Sequence, residues 1–208
     1  VETIRRQLNE VIVGKTVKKV EILRSKSFVG ESQELLRKKI EKVSRSAKVI
    51  EIYLHKSSQI LLVHLKMTGQ LVYLDEKSRV YGGHPTPDWI GSLPSKHTRV
   101  IISFDGGGKL FFNDMRVFGW LKLLEKEKYE LTKKKMIPDV VDKHFTVAYL
   151  AEILAKPNKP VKLVILDQDK VGGVGNIYAN DALYLAKIRP DRKAKSLTKG
   201  EVKRLHLA

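Results

Sequence analysis

The sequence predicts an α+β fold in two parts: an N-terminal β-sandwich with a leading helix, followed by an all-helical domain. Three observations support this prediction. Apolar residues in the first thirteen positions share one helical stripe, those between residues 15 and 115 recur with a period of two, and those beyond residue 144 return to helical spacing. Because no helices alternate with the strands, a sandwich is favoured over a doubly wound parallel sheet.

The first element is a helix over residues 2–13. Its apolar residues Ile4, Leu8 and Ile12 share one face, and Gly14 suits the left-handed conformation that ends many helices. The strands that follow are predicted at 17–22, 49–54, 60–65, 100–104 and 110–112. Between the last two strands, the stretch SFDGGGKLFF is typical of a β-hairpin.

The second part begins after a polar, basic stretch, EKEKYELTKKKMIPD. We therefore predict a sandwich domain over 1–127, a hinge over 128–143 and a helical domain over 144–208. Thr198 and Glu201 form a capping box that opens a last helix just before the sequence stops, so we expect this domain to be incomplete.

Charge and composition limit the partners. The 208 residues include 40 Lys and Arg against 23 Asp and Glu, a net charge of +17, which makes nucleic acid the leading class of partner. The chain has no cysteine, which excludes disulfides and thiolate zinc sites within it. Without an apolar run of roughly 18 residues or a signal peptide, we expect a cytoplasmic protein and no membrane partner.

The stretch VGGVGNIYAN places three glycines directly before a helix. Two explanations remain open at this point. Gly175 and Asn176 could hold a nucleic-acid phosphate at the helix N-terminus, or the glycines could be kept for close packing. The stretch matches neither the dinucleotide fingerprint nor the P-loop, so we expect no nucleotide cofactor.

The longer stretch VGGVGNIYANDALYLAKIRPDR resembles the helix-two-turns-helix signature of the formamidopyrimidine-DNA glycosylase and endonuclease VIII family, bacterial enzymes of base excision repair. The stretches VETIRRQL, SAKVIEIYL, HLKMTGQL and NDMRVFGWL are similar to further motifs of that family, in the same order. The resemblance covers essentially the whole chain. It implies a monomer, associated with the bacterial nucleoid, that binds damaged double-stranded DNA between its sandwich and helical domains.

Lys48 is the candidate catalytic residue. A period of two in SAKVIEIYL places it on the same face as Ile50 and Ile52. From the residues alone, its stem could simply pack while the ammonium extends to the sheet edge. The resemblance implies more, because the matching lysine of the family contacts a phosphate near the damaged nucleotide and is implicated in the elimination chemistry.

Met67, Arg116 and Phe118 are the candidate intercalating residues. From spacing alone, Met67 is predicted to be a core methionine, and Arg116 could form a surface ion pair with Asp114. The resemblance implies that all three enter the duplex, fill the void left by an extruded base and wedge the stack around its partner. Their presence together favours the branch that excises oxidised purines such as 8-oxoguanine.

Further DNA contacts are implied for His64, His97, Lys156, Lys159 and Lys162. The two histidines match family positions that line the DNA cleft, and Lys162 aligns best with a family contact. Each histidine could equally be a neutral surface residue, and each lysine part of a solvated face. The histidines lack supporting carboxylates, so we expect no metal site in this chain.

The resemblance also shows what these residues lack. Family members begin with Pro-Glu-Leu-Pro-Glu, and the next residue corresponds to Val1. The family's nucleophilic proline and catalytic glutamate therefore lie upstream of this sequence, and Glu2 is a different glutamate. The family's C-terminal four-cysteine zinc finger, where zinc is the expected cofactor, lies beyond residue 208. Asp181 replaces a glutamate that is usual in the signature.

Together these features predict a bifunctional DNA glycosylase and AP lyase. It would remove 8-oxoguanine and formamidopyrimidines from duplex DNA through a Schiff-base intermediate. An alternative of another class is a catalytically inactive, lesion- or structure-specific DNA-binding module, since the binding residues are present and the nucleophile is not. An RNA-binding domain is disfavoured because the chain lacks the aromatic platforms expected for single-stranded RNA.

Overall fold

The computed structural model describes most of the chain, namely residues 1–87, 91–133 and 137–208. Its contacts divide the chain into two units, Val1–Thr132 and Lys133–Ala208. The boundary falls within the predicted hinge, 128–143, of which residues 134–136 lie outside the described residues. The exact limits of that hinge stay a prediction.

The described part of the first unit opens with a helix, and two five-stranded sheets follow. The helix and strands are α1 (Glu2–Ile12), β1 (Val17–Ile22), β2 (Phe28–Val29), β3 (Ile40–Ser46), β4 (Val49–Leu54), β5 (Gln59–His64), β6 (Gly69–Leu74), β7 (Arg79–Gly83), β8 (Thr98–Phe104), β9 (Lys109–Asp114) and β10 (Trp120–Glu125). The first sheet has the order β1-β8-β9-β6-β7 and the second β2-β10-β5-β4-β3. Within the described residues, β2 and β10 pair in parallel and the other neighbouring strands of both sheets are antiparallel.

One hydrophobic core joins both sheets and the leading helix. Phe112 and Tyr73 contribute from the first sheet, Ile50 contributes from the second, and Leu8 and Ile12 contribute from α1, and all five are almost completely buried. Burying large apolar side chains from two facing sheets stabilises a sandwich, because each contributes about 1.5–3 kcal/mol relative to an exposed position. The predicted helix and β-sandwich are confirmed.

Several strands escaped the sequence analysis. The sequence pattern predicts no strand at β2, β3, β6, β7 or β10. β3 and β7 carry few apolar residues, whereas β6 is buried almost continuously and so shows no alternation. The predicted hairpin is confirmed, because β8 and β9 pair as antiparallel neighbours across a glycine-rich turn.

Lys48 lies in a turn directly before β4, whose predicted bounds 49–54 agree with the structure. Ser46 pairs with Val49, so Ala47 and Lys48 form the two-residue turn between β3 and β4. Ala47 has a φ of 48°, the left-handed conformation that such tight hairpin turns require. Lys48 therefore lies at the tip of a hairpin and not among the apolar residues of β4.

A further helix, α2 (Lys126–Lys133), occupies the start of the predicted hinge and packs on the outer face of the second sheet. Its Tyr129 is buried against Ile60 and Leu62. The Tyr129 hydroxyl donates a hydrogen bond of 2.8 Å to the fully buried carboxylate of Glu51. Burial and the nearby Glu51 raise the pKa of Tyr129 above its ordinary value, so its hydroxyl stays protonated.

The second unit is helical in its described part, as the sequence predicts. Its helices are α3 (Val147–Ala155), α4 (Val161–Ile165), α5 (Asn176–Leu185) and α6 (Lys199–Leu207). They bury a separate core that includes Leu150, Val164 and Leu183. The capping box predicted for the last helix is confirmed, because the Thr198 hydroxyl accepts a hydrogen bond from the Glu201 N–H and the Glu201 carboxylate accepts one from the Thr198 N–H.

Candidate nucleic-acid interface

Three exposed side chains meet at one end of the sandwich. Met67 lies in the loop between β5 and β6, while Arg116 and Phe118 lie in the loop between β9 and β10. The Arg116 guanidinium lies 4.8 Å from the centre of the Phe118 ring, and its Nη1 is 3.5 Å from the Met67 sulfur. Met67 is 65% exposed and Phe118 is 50% exposed. We call Met67, Arg116 and Phe118 the surface cluster.

The surface cluster contradicts two predictions made from spacing alone. Met67 is not a core residue, because β5 ends at His64 and the chain turns outward before Met67. The ion pair considered for Arg116 and Asp114 does not form within the described part of the chain. Asp114 instead accepts a hydrogen bond of 3.1 Å from the main-chain N–H of Arg116.

Asp114 holds the two loops of the surface cluster together. Its side chain is fully buried, and one carboxylate oxygen accepts hydrogen bonds from the Thr68 hydroxyl and the Arg116 N–H. The other oxygen accepts a hydrogen bond of 2.6 Å from the Gly119 N–H. Thr68 follows Met67, while Arg116 and Gly119 bracket Phe118, so one carboxylate ties both loops to one point.

Val117 shows that the second loop is under backbone strain. It has a φ of 56°, which is uncommon for any residue with a side chain and a genuine outlier for a β-branched one. Such a conformation costs about 1–2 kcal/mol. The hydrogen bonds from Arg116 and Gly119 to Asp114 flank Val117 and keep the loop in this shape.

His64 ends β5 close to the surface cluster. Its Nδ1 accepts a hydrogen bond of 2.9 Å from the Lys66 N–H, and its ring lies against Trp120. Burial, then the positive charges of Lys66 and Lys48, lower the pKa of His64 to about 4. The imidazole is therefore neutral near pH 7. Val49 pairs with His64, so the hairpin tip at Lys48 lies near this ring.

His97 supports the same end of the sandwich from the first sheet. Its main-chain oxygen accepts a hydrogen bond of 2.9 Å from the Asp114 N–H, and its own N–H donates to the Ser95 hydroxyl. The side chain is partly exposed. The residues predicted for the sandwich, namely Lys48, His64, Met67, His97, Arg116 and Phe118, thus gather at the β5–β6 and β9–β10 end.

In the second unit, the glycines of the stretch VGGVG fall into two groups, one suited to close packing and one at the start of a helix. Gly172 pairs with Asp139, and a Cβ at Gly172 would lie 3.1 Å from the Pro138 oxygen. Gly173 has a φ of 88°, and a Cβ there would lie 2.5 Å from an Asp139 carboxylate oxygen. These two glycines serve close packing against residues 138–140.

Gly175 and Asn176 lie on the other side of that stretch, at the start of α5. Gly175 is the N-cap residue and contributes no side-chain cap, and Asn176 is exposed. The first N–H groups of a helix have no partner inside the helix, and its dipole favours an anion there. This helix start has the features expected of a phosphate contact.

The three predicted lysines lie between α3 and α4. Lys156 caps the end of α3, Lys159 lies in the following loop and Lys162 lies in the first turn of α4. Lys156 and Lys159 are exposed, whereas Lys162 is half-buried. Lys159 forms a loose ion pair of 3.5 Å with Asp167. A pair of this kind at the surface contributes little to stability and leaves the charge available.

The acidic and histidine side chains of the described residues are too dispersed for a metal site. In residues 1–87, 91–133 and 137–208, His, Asp and Glu side chains form no group of three that could hold a metal ion. The zinc ion expected for the family's finger therefore has no fitting ligand set in the described chain. None of the helices described is long and apolar enough to cross a membrane.

Comparison with known proteins identifies the family. The model of the formamidopyrimidine-DNA glycosylase N-terminal domain matches residues 1–121, and the model of the formamidopyrimidine-DNA glycosylase H2TH domain matches residues 136–208. The chain belongs to the formamidopyrimidine-DNA glycosylase family. The family consists of DNA glycosylases of base excision repair, and the α+β fold agrees with it.

Individual relatives of the formamidopyrimidine-DNA glycosylase family match nearly the whole chain. The formamidopyrimidine-DNA glycosylase of Streptococcus mutans is 34% identical, over 99% of this chain and 72% of the relative. That of Bacillus subtilis is 35% identical over the same shares. The Lactococcus lactis Fpg, solved in complex with DNA containing an abasic site, has a TM-score of 0.83 at 29% identity, covering 99% of this chain and 72% of that one.

Two residues of this site escaped the sequence analysis. Spacing predicts Asp114 only as an ion-pair partner of Arg116, and it predicts no role for Thr68. The bond from the Arg116 N–H to the carboxylate two residues earlier is the Asx-turn pattern, which an aspartate before a loop makes possible. Nothing in the sequence indicated that Thr68, 46 positions away, meets the same carboxylate.

Proposed function

We propose that this protein acts as a bifunctional DNA glycosylase and AP lyase on oxidised purines, 8-oxoguanine and formamidopyrimidines, in duplex DNA. The observation that carries the proposal is the surface cluster. A flexible thioether, a planar cation and an aromatic ring are brought into mutual contact and held exposed by a buried carboxylate. Large apolar side chains are normally buried, so a rigid exposed group of this kind indicates a binding role.

Extrusion of the damaged base is the step that the surface cluster serves. An enzyme cannot reach the sugar carbon of a stacked nucleotide, so it extrudes the base at a cost of a few kcal/mol. Met67 and Phe118 would enter the stack as apolar wedges. Arg116 would occupy the space beside the orphaned partner base, with its guanidinium held planar over Phe118.

Phosphate contacts would hold the duplex while the base is extruded. In the second unit, the start of α5 at Gly175 and Asn176 offers main-chain N–H groups, and Lys162 offers a cation. In the first unit, Lys48 at the hairpin tip would contact a phosphate near the extruded nucleotide. The neutral ring of His64 and the partly exposed side chain of His97 would add polar contacts.

The bond-breaking step needs an amine nucleophile, which the family resemblance places upstream of Val1. In the mechanism that the family resemblance implies, a secondary amine attacks the sugar C1′, the damaged base leaves with a proton and a Schiff base forms. Two eliminations then cleave the phosphodiester bonds on either side. Residues of this chain would bind and orient the nucleotide, and Lys48 would assist the elimination.

Borohydride trapping tests the proposal. We would compare the chain preceded by Pro-Glu-Leu-Pro-Glu with the chain alone, on duplexes with and without one 8-oxoguanine, and identify the cross-linked peptide by mass spectrometry. We expect an adduct on the leading proline that requires the lesion and disappears when Met67 and Phe118 are changed to Ala.

The other outcomes separate the competing functions. An adduct on Lys48 alone would mean lyase chemistry without base excision and would contradict the proposal. No adduct with either chain, combined with retained lesion-selective binding, would leave only the DNA-binding module.

A further inference from the structure

A group of positively charged residues lies at the end of the sandwich opposite the surface cluster. We infer that it binds the backbone phosphates of a second DNA duplex, separate from the duplex that holds the lesion. The group consists of Lys15, Lys18, Arg37, Lys38, Lys39 and Lys56, which we call the distal basic patch. The inference takes from the proposed function only that the surface cluster contacts one duplex.

Main-chain hydrogen bonds bring the three segments of the distal basic patch together. Residues 15–18 lie beside residues 37–39, because the Val17 N–H donates to Lys38 O and the Arg37 N–H donates to Val17 O. Residues 37–39 in turn lie beside 55–56, because the His55 N–H donates to Lys39 O. Segments that are far apart in sequence thus place six cations on one continuous surface.

These cations are not neutralised by the protein. Within the described chain, no carboxylate lies within the 4.0 Å of an ion pair from any of the six. Carboxylates border the patch at Glu41, Asp75 and Asp105: Glu41 lies 3.8 Å from His55, Asp75 accepts a hydrogen bond from the hydroxyl of Tyr73 beneath Lys15, and the Asp105 N–H donates to Thr16 O. Lys18, Arg37, Lys39 and Lys56 are exposed, and Lys15 lies 5.6 Å from the centre of the Tyr73 ring. A dense, unpaired positive surface binds polyanions through counterion release.

Two residues of the distal basic patch have a strained backbone conformation. Arg37 has a φ of 61° and Lys56 a φ of 49°, and both lie in turns. Glycine or asparagine is the usual residue in this conformation, since other residues lose roughly 1–2 kcal/mol there. Positions that favour a small neutral residue therefore carry exposed cations at the edge of the patch.

Strand register separates the distal basic patch from the surface cluster. At the near end of the first sheet, Gly69 pairs with Asp114. At the far end, Leu74 pairs with Lys109, and Phe104 pairs with Val17, which lies between Lys15 and Lys18 of the patch. The six residues of β6 span about 20 Å. The two surfaces face away from each other, so a straight duplex on one leaves the other open to a second segment.

Duplex DNA is the partner that the patch favours. Single-stranded nucleic acid binds with aromatic stacking, but Tyr73 beneath Lys15 is fully buried and the patch offers no other ring among its own residues. Membrane surfaces recruit amphipathic helices with an apolar face, whereas this patch consists of strand ends and turns. A charged surface without base-reading groups suits a sequence-independent contact to duplex phosphates.

A ternary-complex measurement tests this inference. The protein would be saturated with a donor-labelled duplex carrying one abasic-site analogue, and an acceptor-labelled undamaged duplex would then be titrated while energy transfer is recorded at several salt concentrations. The test variant changes Arg37, Lys39 and Lys56 to Gln. The control changes Lys195, Lys199 and Lys203 to Gln, which removes the same charge from exposed positions in the second unit.

We expect energy transfer with the natural and control chains and at least a tenfold weaker second duplex in the test variant. The slope of log affinity for the second duplex against log salt should become less steep by about 2 to 3. Binding of the first duplex should change less than twofold. If that duplex shows no lesion preference while the second still binds through the patch, the proposed function fails and this inference stands.

Three results would overturn the inference: no energy transfer with the natural chain, equal transfer in the test and control variants, or displacement of the second duplex by single-stranded RNA or anionic vesicles at lower concentrations than by unlabelled duplex.

Discussion

At the scale of single residues, Asp114 determines how the surface cluster is presented. Spacing along the sequence could not reveal this, because the Thr68 hydroxyl and the Gly119 N–H reach the carboxylate only after two strands have paired. Spacing alone predicts Met67 as a core residue for a similar reason. A period of two continues on paper from β5 through Met67, and nothing local marks His64 as the last residue of the strand.

We predict that Asp114→Asn loosens the loop without unfolding the sandwich. The amide nitrogen would face one of the donors now bound by a carboxylate oxygen, and a buried donor without a partner costs about 1–3 kcal/mol. Hydrogen exchange at the Arg116 and Gly119 amides should accelerate strongly, and preference for an abasic-site duplex over an undamaged one should fall. Exchange in β4 should stay slow.

Thr68 provides the matched control for Asp114. Thr68→Ser keeps the hydroxyl that donates to Asp114 and should retain lesion preference, whereas Thr68→Val removes it and should behave like a weaker Asp114→Asn. Equal behaviour of the two Thr68 variants would show that the hydroxyl does not position the loop.

His64 yields a prediction about pH. Its folded pKa of about 4 lies below the ordinary value near 6.5, because burial and the charges of Lys66 and Lys48 disfavour the imidazolium. The unfolded chain binds the proton more tightly. The contribution of His64 to stability is therefore complete above about pH 6.5 and is lost as the pH falls toward 4.

Two measurements check the behaviour of His64. Its ring resonances should titrate with a midpoint near 4, and Lys48→Gln should raise that midpoint. In urea unfolding, His64→Gln should lose less stability than the natural chain between pH 6.5 and pH 4. A midpoint near 6.5 in the natural chain would refute the neutral, partly buried imidazole.

At the scale of elements, the sequence predicts the helices and strands that have a distinct local hydrophobic or turn pattern. The leading helix and the β8–β9 hairpin have strong local signals, namely a stripe at helical spacing and a run of glycines. The turn at Lys48 contains neither glycine nor asparagine, and Ala47 adopts the left-handed conformation there. Because no turn residue interrupts the sequence, the period of two continues through Lys48 into β4. α2 was missed because its charged sequence also suits a hinge and only Tyr129 is buried.

We predict that Tyr129→Phe detaches α2 from the second sheet. The mutation removes the hydroxyl that donates to the buried Glu51 carboxylate, and a hydrogen bond to a charged group contributes about 1.5–3 kcal/mol. Amides of α2 should exchange faster while those of β5 are unchanged. Tyr184→Phe, at a tyrosine that is 83% exposed, is the control and should have no effect. Unchanged exchange in α2 would show that packing against Ile60 and Leu62, with the hydrogen bond from the Tyr53 hydroxyl to Glu130, suffices.

At the scale of the whole molecule, the net charge of +17 and the surface cluster contribute different parts of DNA binding. Charge alone predicts affinity for any duplex and steep salt dependence, and it indicates nothing about lesions. The surface cluster involves side chains that enter the stack, and its role came from the family resemblance and not from composition. Affinity and selectivity should therefore be separable by mutation.

We predict that two pairs of mutations divide these contributions. Met67→Ala with Phe118→Ala should lower the preference for an abasic-site duplex by about tenfold, or ~1.4 kcal/mol, because the wedges that fill the extruded position are lost. The salt dependence should not change, since no cation is removed.

Lys156→Gln with Lys162→Gln should weaken binding to both duplexes equally and make the slope of log affinity against log salt less steep by about 1 to 2. Fluorescence anisotropy at several salt concentrations measures both quantities. A lysine pair that alters the preference, or a wedge pair that alters the slope, would show that the two contributions depend on the same residues.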